Sequence, residues 1–504
     1  MRVKVATLAV AAMLTAAGCA GAGGDLAGPD ENLVLVTNQP NASFDPPLMR
    51  VGPQSLYWQA VYDTLLHSDV DGEPLPGMAS AWSYDESKLN LTLTLREDIT
   101  FSDGSVFDAA AVKTNVDHFV ATPGPNGPMT SAIESVEVTG PHQVIIRLRQ
   151  PDPGLLINLS STLGAMAAPA AIARGDLATA PTGSGPYTFQ ASQSSAERKV
   201  YHRNTAYVDP AAYPFDTLEI KYFADVNPVL NQLKTGQVDA AMVRATVTEE
   251  LEASGVDVIS GSAEWAGLLL FDRAGVSIPA LGDVRVRQAL NHAFDRDYIS
   301  SITDGNPVPT AQIFNAESIA YDPALEDHYE YDVDKAKSLL ADAGYGGGFT
   351  LPLPDLSAIL GPAINKTIDQ SLNAIGVTVD WQRASPTTMT SDIASGKLPV
   401  ALFQLAANTP WQTITNSVAP SAGYNPLRTE TPELNALIDR IRIASGPEES
   451  AAAYKAVNRY VVENAWFVPL FRPGKYFALT PGITTEYQLA GSVPDLSRFQ
   501  PVQK

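Results

Sequence analysis

Residues 74–119 change hydrophobic period in mid-stretch, and that change restricts the fold more than any other feature of the chain. Leu89, Leu91, Leu93 and Leu95 alternate with Asn90, Thr92 and Thr94, the period of two that gives a strand one buried face. Ser102, Asp103 and Gly104 follow. Asp bonds its own backbone and Gly accepts positive φ, so these residues predict a tight turn. Asp108 then stands as an N-cap, with Val112, Val116, Phe119 and Val120 on one helical stripe. A strand that turns into an amphipathic helix buries both apolar faces by laying helix on sheet. An α/β architecture is therefore expected.

The chain has 504 residues, more than one core accommodates, so two or three domains are expected. Its formal net charge of −22 argues against nucleic acid as a partner, because phosphate binding needs a basic face. Arg2 and Lys4 precede a run of 13 apolar or small residues at 5–17. A bilayer core of about 30 Å needs about 20 residues, so residues 1–18 are expected to be an export signal rather than a span. Cys19 is the single cysteine and follows directly. It has no partner for an internal disulfide. The Gly- and Ala-rich residues after it read as a flexible tether.

Further segments repeat the same signals. Trp58, Val61, Tyr62 and Leu65 predict a helix over 56–66, and residues 135–139 and 144–148 predict a hairpin. Asn227, Pro228 and Gly236 punctuate another helix. Asp283 caps a single expected helix over 283–298, in which Arg287 and His292 are read as structural. Asp332 caps and Gly344 ends the next. Residues 181–189 (PTGSGPYTF) read as a loop before a strand, with glycines permitting a path closed to other residues.

Catalytic motifs are missing. The chain has no Gly-x-Ser-x-Gly elbow, no His-Glu-x-x-His and no P-loop. None of its six histidines pairs with another at ligand spacing on one helix, so neither metal nor cofactor is expected. A secreted hydrolase is the weaker alternative to a binding protein.

As strings, these segments resemble the family 5 (peptide/nickel-type) bacterial extracellular solute-binding proteins, the receptors of ABC importers. The likeness rests on Pro76, Ala79, Trp82, Leu95-Arg96, Phe101-Ser102-Asp103-Gly104 and Val112, and on residues 44–46, 181–189, 283–298, 331–345 and 452–470. It runs from about residue 33 to about residue 470. It implies a periplasmic-binding-protein-like, two-lobed (Venus-flytrap) α/β fold of type II, cluster C-like, with an extra inserted domain. Lobe 1 would take residues 31–51, 180–265 and 476–504, the inserted domain 52–179, and lobe 2 266–475. Cys19 resembles the lipidated cysteine of a lipobox. That implies a tether over 19–30 and a monomer anchored to the outer face of the cell membrane, docking transiently on a permease and its ATPase subunits.

The resemblance also implies a ligand cleft between lobes, near Phe44, Trp265 and residues 408–411, with Asn408, Tyr424 and Asn425 as further candidates. Trp411 is the first choice, because an aromatic wall packs varied side chains. Peptide receptors of the family commonly carry an aspartate in the Trp-containing loop. Residues 405–417 hold no acid here. The expected ligand is therefore peptide-like or another small organic solute, such as a metal chelate, siderophore or glycan. A non-transport sensor or scaffold on the same fold is the alternative.

Overall fold

The computed structural model describes residues 32–502, apart from 226, 262–263, 356–361, 386–387, 407–408 and 488–490. Cys19, Asn408 and the expected signal and tether lie outside the described residues.

Asn32–Thr37 sits inside a seven-stranded sheet ordered Asp257–Gly261, Lys475–Leu479, Ala240–Val243, Asn32–Thr37, Thr217–Tyr222, Arg198–Arg203, Tyr187–Phe189. It runs parallel to both neighbours, and the other pairings are antiparallel. A four-stranded antiparallel sheet follows, ordered Ala79–Tyr84, Asn90–Leu95, Gln143–Leu148, Ile133–Gly140. Leu91, Leu93 and Leu95 are buried, as their alternation requires. Gly104 has φ +84° in the turn, and Asp108 accepts from the Ala111 amide at 2.8 Å to cap helix Ala109–Ala121. One core joins the two sheets. It holds Leu33 and Leu35, Leu91 and Val112, and the late residues Phe477 and Phe499.

A second body is built on the antiparallel sheet Val308–Pro309, Phe467–Arg472, Glu264–Leu270, Val400–Ala406. Glu264–Leu270 (EWAGLLL) is buried on both faces, hence its unbroken apolar run. Trp265 and Leu269 face one core, with helices Pro432–Ile443 and Gly446–Glu463. Ala266, Leu268 and Leu270 face another, with helices Val284–His292 and Val333–Asp342.

The two bodies meet through adjacent crossings. Asp257–Gly261 leads into Glu264–Leu270, and Phe467–Arg472 leads through Pro473 and Gly474 into Lys475–Leu479. The segments pair with each other on both sides of the crossing. There Lys475 Nζ lies 2.6 Å from Glu264 Oε1.

Two expected helices are shorter than their periodicity suggests. The helix expected over 56–66 is Ser55–Gln59, followed by irregular chain and the strand Leu66–Ser68. Its carbonyls are taken by another segment: the Gly185 amide donates to Val61 O at 3.0 Å and the Tyr187 amide to Ala60 O at 2.8 Å. The helix expected over 283–298 is two, Val284–His292 and Arg296–Ser301, because Asp295 restarts it by accepting from the Tyr298 amide at 2.9 Å. Buried Arg296 fills the break, donating to Asn291 O (3.2 Å), Tyr329 O (2.9 Å) and Pro469 O (2.8 Å).

Residues 181–189 owe their glycines to contact, since neither Gly183 nor Gly185 has positive φ. A Cβ on Gly183 would stand 2.2 Å from Val61 O, and one on Gly185 2.5 Å from the Val61 carbonyl carbon. Gly185→Ala should therefore lower the free energy of unfolding by about 1–3 kcal/mol, the usual range for overpacking. Gly140→Ala, where a Cβ meets nothing within 4 Å, should leave it unchanged. Urea unfolding of the two variants checks this; equal losses would refute the contact explanation.

Candidate ligand-binding cleft

Residues 410–417 were expected in a loop and form the helix Pro410–Ser417. Pro410 at its first position has φ already set for a helix. This places Trp411 in the first turn, 6% exposed, at the meeting of the two bodies. Its indole lies on Gly154, where a Cβ would come within 2.4 Å of Trp411 Cδ1. Trp411 Nε1 donates to Asp152 Oδ1 at 2.8 Å, and the Gly154 amide donates to the same oxygen at 2.9 Å.

Neighbouring side chains repeat the bridge. The Arg442 guanidinium lies 5.0 Å from the centre of the Trp411 ring and donates to Pro151 O at 3.2 Å. Gln412 Nε2 donates to Asn158 Oδ1 at 3.3 Å. Lys88 Nζ donates to Ile443 O at 3.3 Å and also to Ala444 O. Burial pushes the Asp152 carboxyl above its ordinary pKa; the Gly154 amide, Trp411 and Arg442 oppose the shift without reversing it.

Beside these contacts lies a cavity of about 770 Å³. Trp58, Asp69, Asp152, Asn158 and Asp495 line it from the first body, and Thr409, Trp411, Gln412 and Asn416 from the second.

The expected site residues scatter. Trp411 lines the cavity. Phe44 (2% exposed) packs on Phe189 with ring centres 5.2 Å apart. Fully buried Trp265 meets Phe467 edge-on at 5.3 Å. Asn425, also fully buried, accepts from Arg273 Nη2 at 2.6 Å and from the Thr429 amide at 3.0 Å, which braces its own loop. Half-buried Tyr424 stacks 6.3 Å from Phe403. None of these four lines the cavity. Asp152, Gln412, Arg442 and Asp495 do, and sequence reading missed them. The signal at Asp152 is the run Pro151-Asp152-Pro153-Gly154, which reads as an ordinary turn.

The sequence profile of the bacterial extracellular solute-binding proteins, family 5 (middle region), matches residues 73–423. The chain belongs to this family. The glutathione-binding protein GsiB of Salmonella paratyphi A is 27% identical over 302 residues, an alignment spanning 58% of each chain. The probable di/tripeptide-binding protein 5 of Pseudomonas aeruginosa is 27% identical over 462 residues, or 83% of this chain and 85% of that one. DppA of Helicobacter pylori, solved with the peptide STSA, shares 21% identity and a TM-score of 0.79, covering 94% of this chain and 98% of that one. The fold of this family 5 protein is accordingly the two-lobed α/β fold of type II periplasmic binding proteins. No helix among its described residues is long and apolar enough to cross a membrane.

Asp152→Asn keeps an oxygen for both donors and removes the charge. Because burial in the folded protein raises the carboxyl pKa, ionising Asp152 opposes the folded state. The opposition is absent below the ordinary carboxylate pKa and complete above the raised one. At pH 7 the ligand-free variant should therefore melt above the wild type, and the two should converge below about pH 4. Thermal unfolding against pH reads this. A wild type that melts above the variant at pH 7 would overturn it.

Proposed function

We propose that this protein is the extracytoplasmic receptor of an ABC importer. It captures a peptide-like or other small organic solute between its lobes and delivers it to a membrane permease, whose separate ATPase subunits hydrolyse nucleotide. The observation that carries the reading is a cavity of about 770 Å³ held between two bodies by the Trp411–Asp152 hydrogen bond, with paired crossings behind it. It is a binding rather than a catalytic role, without cofactor. Lobe 1 is assigned residues 31–51, 180–265 and 476–504 with 52–179 inserted, and lobe 2 residues 266–475. Cys19, directly after the apolar run, is assigned the lipid that tethers a monomer to the membrane.

The physics is a two-state equilibrium. A ligand that touches both lobes only when they are closed shifts the population by its differential affinity. Moving it from 1:99 to 99:1 takes about 5.5 kcal/mol, and micromolar binding supplies about 8 kcal/mol. A cavity of this volume lies within the usual range of about 300–1,000 Å³ for small-molecule sites. The glutathione- and di/tripeptide-binding relatives favour short peptides among the candidates. The acid missing from residues 405–417 has a counterpart in Asp152, which meets Trp411 from the opposite lobe.

A thermal-shift screen with di- to pentapeptides, chelated metals, siderophores and oligosaccharides tests the reading, since a ligand of the native state raises Tm by mass action. A peptide should raise Tm, and Trp411→Ala should weaken its binding at least about tenfold, as loss of a buried aromatic contact does. A response to another solute class alone would exclude peptides. No response to any pool would favour a docking role.

A further inference from the structure

A second cavity of about 590 Å³ opens within the first lobe. Asp63, His67 and Arg96 line it from one side, and Tyr207, Glu486 and Arg498 from the other. Trp58, Gln59, Ser68, Ser160 and Asp495 line this chamber and the cleft alike. Chamber and cleft therefore adjoin at these five residues.

The charges in the chamber are paired, with two exceptions at its edges. His67 Nε2 lies 2.6 Å from Asp63 Oδ1, and Tyr207 Oη donates to the other oxygen at 3.3 Å. Arg498 pairs with Glu486 at 2.6 Å, and Arg96 pairs with Asp98 at 2.8 Å. Asp209 is exposed. Asp495, at the junction, is half-buried and takes only neutral donors: Gln59 Nε2 at 2.6 Å, Ser497 Oγ at 2.6 Å and the Ser497 amide at 3.0 Å. Among the described residues no Lys, Arg or His nitrogen stands within 4.0 Å of it. His67 senses its charge at longer range but is bound to Asp63. On the cleft side, Asp69 and Asp152 add carboxylates, while Arg442 is held by Trp411, Pro151 and Asp439. An oriented carboxylate with no cation, facing open volume, is complementary to a positive group. The aromatic sides of Trp58 and Tyr207 suit the methylene stem of such a group.

We propose that the lobe 1 chamber is a subsite for a cationic tail of the ligand, an ammonium or guanidinium on a flexible stem, with Asp495 as its charge partner. This rests on the cleft being the ligand site. It selects basic peptides within the peptide class.

Isothermal titration of the full chain tests it, using trialanine and tripeptides that carry arginine at each position in turn, each against its citrulline counterpart. Citrulline keeps the shape and removes the charge. At one position arginine should bind at least about tenfold tighter, as a charge-assisted hydrogen bond gives. Asp495→Asn should abolish that preference, bringing the arginine peptide to the affinity of its citrulline counterpart. Ala212→Trp, which fills the chamber away from the cleft, should weaken the arginine peptide and spare trialanine. Equal binding of arginine and citrulline peptides to the wild type would overturn the subsite while the receptor reading stands. A preference that survives Asp495→Asn but disappears in Asp152→Asn would move the cation into the cleft and overturn it as well. No binding by any of these peptides would overturn the subsite and exclude peptides, leaving the receptor reading to the other solute classes.

Discussion

Two backbone crossings, set side by side, govern the relation between the lobes. Each continues a strand of one sheet into a strand of another, and the segments pair on both sides of the passage. Such a joint resists shear and splaying but leaves bending soft. The Glu264–Lys475 pair beside it is half-buried, where the cost of desolvating both ions offsets much of their attraction. The other interlobe bonds described, from Trp411, Gln412, Arg442 and Lys88, are hydrogen bonds, two of them from Lys88. The neutral bond from Gln412 is worth about 1 kcal/mol net, and those that involve a charged group about 1.5–3 kcal/mol. A closed state held by so few weak terms lies within reach of a ligand's binding energy.

What was legible in the sequence was local. Alternating leucines gave the strand Asn90–Leu95, and Asp108, Asp283 and Asp332 cap the helices they precede. The failures come from distant residues. Nothing near Ala60 and Val61 announces that the amides of residues 185 and 187 will take their carbonyls. The break after His292 is filled by Arg296, whose acceptors include residues 329 and 469. Aromatic character alone did not separate Trp265, sealed in a strand buried on both faces, from Trp411, lifted to the lobe boundary by a proline-started helix. Asp152 and Asp495 lie 259 and 84 residues from Trp411, and only the fold brings them to one cavity.

The charge pattern gives the acid-free Trp segment a different meaning. An acid beside Trp411 on the same helix would stay next to it however the lobes move. Asp152 sits on the other lobe, so its partnership with Trp411 exists only on closure. Under the proposed reading, recognition and movement are thereby coupled through one carboxylate.

Gly154 carries a consequence of its own. The indole of Trp411 occupies the volume that any side chain there would need. One methyl group at this position is a doorstop: it leaves each lobe free to fold and holds the two apart. Under the proposed reading, the same atom count that separates glycine from alanine would turn a receptor that shuts into one arrested ajar, a form suited to capturing the open state and to asking what a permease makes of a receptor unable to close.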